Sequence, residues 1–166
     1  MNVSVLPMTN ENIDYLITCE KEITEIERKD FKIEQGHKKN SFKLKSKDKK
    51  YEFYAFMRIN EEFSENFSIG LIFHPFSEKS IMLFRCNGPH NHKERPNSEH
   101  HNNYHYHYEI EENILEDTNP MNHSKIVKEY STFPEAFQFF IKYCKIQNAE
   151  DFFPNLTEPV FGFMED

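Results

Sequence analysis

The chain has 166 residues, of which 37% are hydrophobic and 15% aromatic, and its formal net charge is −8. A chain of this size and composition can bury a real core, so we expect one globular domain over residues 1–166 and exclude a disordered protein. The negative charge argues against nucleic-acid binding over the whole surface, because that binding depends on cations that neutralise phosphates.

The sequence predicts a cytoplasmic location and no membrane association. No basic leader precedes an apolar run near the N-terminus, and no apolar run reaches membrane-spanning length. The three cysteines are odd in number, widely spaced and set in apolar surroundings. They are typical of reduced, packed residues in a cytosolic protein.

The N-terminal part of the chain predicts a helix that starts at Thr9 and Asn10, which are good capping residues. We expect this helix to end near Arg28 and to be acidic on its outer face. Its apolar residues recur near helical spacing: Ile13, Leu16, Ile17, Cys19, Ile23 and Ile26.

The middle of the chain predicts a series of strands, because it contains alternating or continuously apolar segments. Short turns join most of them, and short connections favour an antiparallel meander, since parallel strands need a crossover of a dozen or more residues. The lysines of the first segment are typical of an edge strand. The predicted strands cover residues 42–45, 51–59, 67–74, 81–87 and 104–108, with a short edge strand within 125–130.

The C-terminal part predicts a second helix, in which Thr132 is the cap, Pro134 lies in the first turn and Glu135 completes a capping box. Phe133 and Cys144 bound its apolar face. We therefore predict an α+β fold, in which an antiparallel β-meander of about five strands is flanked by an N-terminal and a C-terminal helix.

Six of the nine histidines lie between residues 81 and 110. This stretch combines a strand ending at Asn87, a polar loop over residues 88–103, and a strand in which tyrosine and histidine alternate. Side chains two apart on a strand lie on the same face, about 7 Å apart. The six are His90, His92, His100, His101, His105 and His107.

One interpretation of this stretch is a zinc site. His105 and His107 form one pair of imidazoles, His90 and His92 form a second, and a hairpin can bring the two pairs together. Neutral imidazoles suit zinc, so these four histidines are the predicted metal ligands.

A second interpretation needs no metal. Arg85 would hold a phosphate through its fork of donors, and Asn87 and His90 would help to bind the ligand. His105 or His107 would act as the catalytic acid or base near neutral pH. This set suits cleavage of RNA or binding of a nucleotide.

A third interpretation is structural. Tyr104, Tyr106 and Tyr108 would pack inward, and the histidines would occupy a half-wet outer face. The residues alone leave all three interpretations open.

The same stretch resembles a group of small, largely uncharacterised bacterial proteins found around mobile elements, and it looks somewhat like toxins of toxin–antitoxin pairs. The resemblance implies a toxin- or defence-associated protein whose His/Arg site acts on or binds RNA or a nucleotide. The residues that carry it are Arg85, Asn87, Gly88, His90, His92, His105 and His107.

The acidic charge, the long polar loop and the Phe-rich acidic tail depart from the pattern of that group. They leave room for an alternative, a non-enzymatic acidic inhibitor that blocks the basic groove of a nucleic-acid-handling protein. In this alternative the predicted N-terminal helix would contact the basic partner through Glu20, Glu22, Glu25 and Glu27.

Overall fold

The computed structural model describes residues 6–75, 79–89, 103–110, 114 and 124–158. Within these residues the chain forms eight strands and four helices. The strands are β1 (Lys21–Ile26), β2 (Lys32–Glu34), β3 (His37–Ser46), β4 (Glu52–Asn60), β5 (Phe67–His74), β6 (Ile81–Asn87), β7 (His105–Tyr108) and β8 (Ser124–Ile126). The helices are α1 (Asn10–Thr18), α2 (Phe133–Tyr143), α3 (Ala149–Phe152) and α4 (Pro154–Thr157).

All eight strands belong to one antiparallel sheet with the order β1-β3-β4-β5-β6-β7-β8. β2 also pairs with β3, next to β1 on the same edge. The predicted α+β class and the antiparallel meander between two helical regions are confirmed, although the sheet has more strands than the predicted five.

The first helix is shorter than predicted. α1 begins at the expected cap, where Thr9 Oγ1 accepts a hydrogen bond from the Asn12 backbone nitrogen at 3.1 Å, but it ends at Thr18. Residues 21–26 form β1, in which Lys21 and Ile23 are buried while Glu22 is exposed. The prediction of a helix to Arg28 was wrong because the spacing of the isoleucines fits a helix and also fits the alternation of a strand. Isoleucine is β-branched, which favours the strand.

The predicted edge strand at residues 42–45 is also wrong, because this segment belongs to β3 and is paired on both sides. Its lysines extend to acidic residues of the neighbouring strands. Lys43 Nζ lies 3.4 Å from a carboxylate oxygen of Glu25, and Lys45 Nζ lies 3.6 Å from one of Glu52. Lys43 and Lys45 thus lie on a solvated surface and have charge partners.

The hydrophobic core lies between one face of the sheet and the described helices. In α2, Phe133 and Phe140 pack against Phe67 of β5 and Phe84 of β6, with ring centroids 5.6 and 6.0 Å apart. The predicted cap is present, since Thr132 Oγ1 accepts a hydrogen bond from the Glu135 nitrogen. We call the opposite face of the sheet the outer face.

Candidate functional site

Two neighbouring rows of side chains cross the outer face from β3 to β8. They follow from the strand register, since residues directly opposite each other in a sheet lie on the same face. The Arg85 row consists of Ser41, Phe56, Gly70, Arg85, His107 and Ser124. The Asn87 row consists of Lys39, Arg58, Ser68, Asn87, His105 and Ile126.

The middle of these rows is buried although its side chains are polar. His105 is 0% exposed, Asn87 2% and His107 3%. The prediction of histidines on a half-wet face was therefore wrong. The same interpretation predicted that the tyrosines pack inward. This part is confirmed for Tyr106, whose ring centroid lies 5.3 Å from that of Phe84 in the core.

Asn87 joins the two rows through its side-chain amide. The amide nitrogen faces Ser68 Oγ at 2.6 Å and the Cys86 carbonyl oxygen at 3.3 Å. The amide oxygen accepts hydrogen bonds from Arg85 Nε at 3.3 Å and from His107 Nε2 at 3.2 Å. This orientation follows because a guanidinium nitrogen can only donate. Asn87 therefore fixes the Arg85 side chain.

The two histidines stand perpendicular to each other, with ring centroids 4.8 Å apart. His105 Nδ1 lies 2.7 Å from the carbonyl oxygen of Asn103, and because a carbonyl only accepts, this nitrogen carries a proton. His107 carries its proton on Nε2, which faces Asn87. Both imidazoles are thus held by protein partners in fixed orientations.

Tyr130 closes the network from the core side. Its hydroxyl oxygen lies 2.6 Å from the carbonyl oxygen of His105 and 3.1 Å from that of Asn87, so it links β6 to β7. Burial raises the pKa of the Tyr130 hydroxyl, which stays protonated and able to donate. The ends of these two strands are therefore tied together beneath the buried histidines.

Beside the network, the outer face forms a cleft of about 400 Å³. Its lining includes Arg58 and Arg85, the aromatic side chains of Tyr54 and Phe56, and Lys39. The Arg85 guanidinium is half-buried, and its pKa is lowered by loss of solvation and by the neighbouring positive charge of Arg58. Two like charges thus share a partly dry site.

Neither arginine has a carboxylate partner among the residues that the structure describes. Two carboxylates also line the cleft, but each has other contacts. Glu34 pairs with Lys32 at 3.3 Å, and Glu27 accepts a hydrogen bond of 2.5 Å from Ser41 Oγ. The uncompensated positive charge favours an anionic ligand.

Comparison with known protein families gives one result. A sequence model of DUF6978, a family of unknown function, matches residues 8–146. The chain belongs to this family. The DUF6978 match contains α1, all eight described strands and α2, so it includes both rows of the outer face. Searches of curated proteins and of solved structures found no match.

The structure brings together four of the predicted site residues, Arg85, Asn87, His105 and His107. The predicted ligands His90 and His92 lie outside the described residues. In the described part of the chain, no three side chains of His, Cys, Asp or Glu are grouped as metal ligands. The zinc site remains a prediction.

Two residues of the cleft were not among the site residues predicted from the sequence. Arg58 and Phe56 lie on β4, and the alternation of that strand does place both on one face. Their position next to Arg85 depends on the register across three strands, Phe56 opposite Gly70 and Gly70 opposite Arg85. Pairing the predicted strands as consecutive antiparallel hairpins could have placed Arg58 and Phe56 near Arg85.

The acidic residues that were predicted to lie on a partner-binding helix lie elsewhere in the structure. Glu20 precedes β1 and pairs at 3.4 Å with Lys47, which follows β3. Glu25 lies on β1 and pairs at 3.4 Å with Lys43 of β3. Residues 20–27 form no helix, so the predicted acidic helix face is wrong, and the acidic inhibitor stays a prediction.

No helix in the described ranges is long and apolar enough to cross a membrane.

Proposed function

We propose that this protein binds a phosphate group of RNA or of a nucleotide in the cleft on the outer face, with Arg58 and Arg85 as the main contacts. The observation that carries the proposal is the pair of guanidinium groups that share the cleft without a carboxylate partner in the described residues. Guanidinium forks match the oxygens of a phosphate and donate charge-assisted hydrogen bonds to them. A bound phosphate would relieve the repulsion between the two arginines.

The buried part of the two rows supports this binding. Asn87 accepts from Arg85 Nε, so the remaining guanidinium nitrogens stay available to a ligand. His107 donates to the same amide oxygen and holds Asn87 in place. Because His105 and His107 are nearly inaccessible, the proposed role of these histidines is to position Arg85, and the proposed activity is binding rather than cleavage.

The toxin- or defence-associated setting, in a bacterium and near mobile elements, belongs to the same proposal. It is supported by the resemblance of the stretch that contains Arg85, Asn87 and the paired histidines. A site that recognises RNA or a nucleotide fits the role that this resemblance implies.

The test is equilibrium binding of ADP by calorimetry and of a labelled oligoadenylate RNA by fluorescence anisotropy. Arg58→Gln and Arg85→Gln should each weaken binding at least about tenfold, because one charge-assisted hydrogen bond contributes roughly 1.5–3 kcal/mol. Lys47→Gln is the control for a lost cation, since Lys47 does not line the cleft and pairs with Glu20 at 3.4 Å.

Binding that survives both cleft substitutions, or that falls equally in Lys47→Gln, would show that the cleft is not the phosphate site. Thermal denaturation of each variant separates loss of contact from loss of fold. At position 85 glutamine can still donate to Asn87 from its amide nitrogen, and Arg58 is exposed, so we expect both cleft variants to remain folded.

A further inference from the structure

The cleft contains an aromatic surface in addition to its positive charge. Tyr54 and Phe56 lie two residues apart on β4 and therefore on the same face of the strand. Both are half-buried, and both line the cleft that contains Arg58 and Arg85. An aromatic ring is the usual platform for a nucleic-acid base, because every base has a π-face that can stack on it.

The position of Phe56 depends on a glycine. Phe56 is paired with Gly70 on β5, and a Cβ atom added to Gly70 would overlap carbons of the Phe56 ring. The ring therefore lies over the backbone of β5, in the space that a side chain at position 70 would occupy. Gly70 is in turn paired with Arg85, so the ring occupies the space between its own strand and the arginine.

Cations follow the same face on three strands. Lys39 of β3 is paired with Arg58 of β4, and Arg85 lies on β6. Phe56 stands in the row next to that of Arg58 and Lys39. The outer face thus carries a flat aromatic surface next to positively charged side chains. The distance between them is about that between neighbouring residues of a sheet, roughly 5–7 Å.

We propose that the ligand of the cleft is single-stranded RNA, with one base stacked on Phe56, Tyr54 extending the platform, and the adjoining phosphate held by Arg58 and Arg85. This inference rests on the proposed function and names its ligand. In a duplex the base faces are covered by neighbouring base pairs and cannot reach an aromatic side chain. Single strands expose these faces, which is why sheet surfaces with aromatic and basic residues recognise them.

The experiment compares Phe56→Leu and Phe56→Tyr in the full chain, with three probes: labelled single-stranded oligoadenylate RNA, the same strand annealed to oligouridylate, and inorganic pyrophosphate. The leucine removes the π-face, whereas the tyrosine keeps it. We expect Phe56→Leu to weaken single-strand binding at least about fivefold and Phe56→Tyr to stay within about twofold of wild type. Pyrophosphate has no base, so its affinity should not change in either variant.

Phe63→Leu is the matched control for a lost aromatic ring, because Phe63 is 58% exposed and does not line the cleft. The inference is overturned if the annealed duplex binds as tightly as the single strand, or if Phe56→Leu binds the single strand as wild type does. In either case a loss of binding in Arg58→Gln and Arg85→Gln would still support the phosphate site. If those arginine variants also bind normally, the proposed function fails together with the inference.

Discussion

At the scale of single residues, the site depends on the dual character of the Asn87 amide. One end of the amide must donate to Ser68 and to a backbone carbonyl, and the other must accept from Arg85 and His107. Aspartate has the same shape and can accept at both ends, but it adds a negative charge beside Arg85. Asn87 therefore orients the arginine without neutralising it.

Asn87→Asp should weaken phosphate binding and cost some stability, because a carboxylate oxygen would replace the amide nitrogen that faces the Cys86 carbonyl oxygen. The new carboxylate would pair with Arg85 and compete with the ligand, so we expect RNA affinity to fall at least about tenfold, or roughly 1.4 kcal/mol. Anisotropy with labelled RNA measures the affinity, and thermal denaturation checks the fold. Unchanged affinity in the folded aspartate variant would contradict the role assigned to Arg85.

Tyr130 gives the molecule a predictable response to alkaline pH. Burial raises the pKa of its hydroxyl above the usual value of 10.0, so the folded state keeps a proton that the unfolded chain loses. The stabilisation that results is complete below pH 10 and decreases as the pH rises further. Relative to Tyr130→Phe, the wild type should lose about 1.4 kcal/mol of unfolding free energy between pH 9 and pH 11.

Urea denaturation of both proteins at several pH values checks this prediction. At neutral pH the phenylalanine variant should be less stable by about 1 kcal/mol, since one buried hydrogen bond between the hydroxyl and the strand carbonyls is lost. Parallel pH profiles of the two proteins would contradict a raised pKa at Tyr130.

At the scale of secondary-structure elements, a buried lysine marks the transition from α1 to β1. Lys21 is 0% exposed, and its ammonium donates to the carbonyl oxygens of Ile17 at 2.7 Å and of Cys19 and Cys144 at 2.9 Å. These carbonyls lie at the C-terminal ends of α1 and α2, where helices leave acceptors unsatisfied. One side chain thus caps two helices.

Lys21→Met should destabilise the protein by about 2 kcal/mol or more. Methionine fills a similar volume but leaves three buried carbonyl oxygens without a donor. Each unsatisfied group costs roughly 1–3 kcal/mol, and part of this cost is offset because the variant no longer buries a charge. Lys47→Met is the control, because Lys47 is exposed and makes only a surface ion pair with Glu20.

Chemical denaturation of the two variants provides the measurement. We expect the control to stay within about 0.5 kcal/mol of wild type. A Lys21→Met variant as stable as the Lys47→Met control would show that the three hydrogen bonds of the ammonium do not hold the helix ends.

The region around α1 and β1 shows where sequence patterns stop being informative. β5 and β6 were predicted to the residue, because a continuously apolar run and its turn are local signals, and the start of α2 was predicted from its capping residues. The end of α1 was not, since the residues that follow it form β1 by pairing with β3, which comes later in the chain. The period of the isoleucines alone could not distinguish a longer helix from a short helix followed by a strand.

At the scale of the whole molecule, the two faces of the sheet have different roles. The helices cover one face with aromatic residues, and the other face carries the two polar rows and the cleft. The net charge of −8 is an average over the chain and conceals a cleft that two arginines and two lysines line. The sequence could indicate Arg85, Asn87, His105 and His107 because they belong to one predicted hairpin. Arg58 and Phe56 required the register of the full sheet.

The most direct test of the cleft as a phosphate site uses the side-chain NMR signals of the four arginines, Arg28, Arg58, Arg85 and Arg95. Titration of the wild-type protein with oligoadenylate RNA should shift the Nε–Hε signals of Arg58 and Arg85, assigned through their glutamine variants, and leave that of Arg28 in place. Unshifted Arg58 and Arg85 signals in the presence of bound RNA would contradict the proposed site.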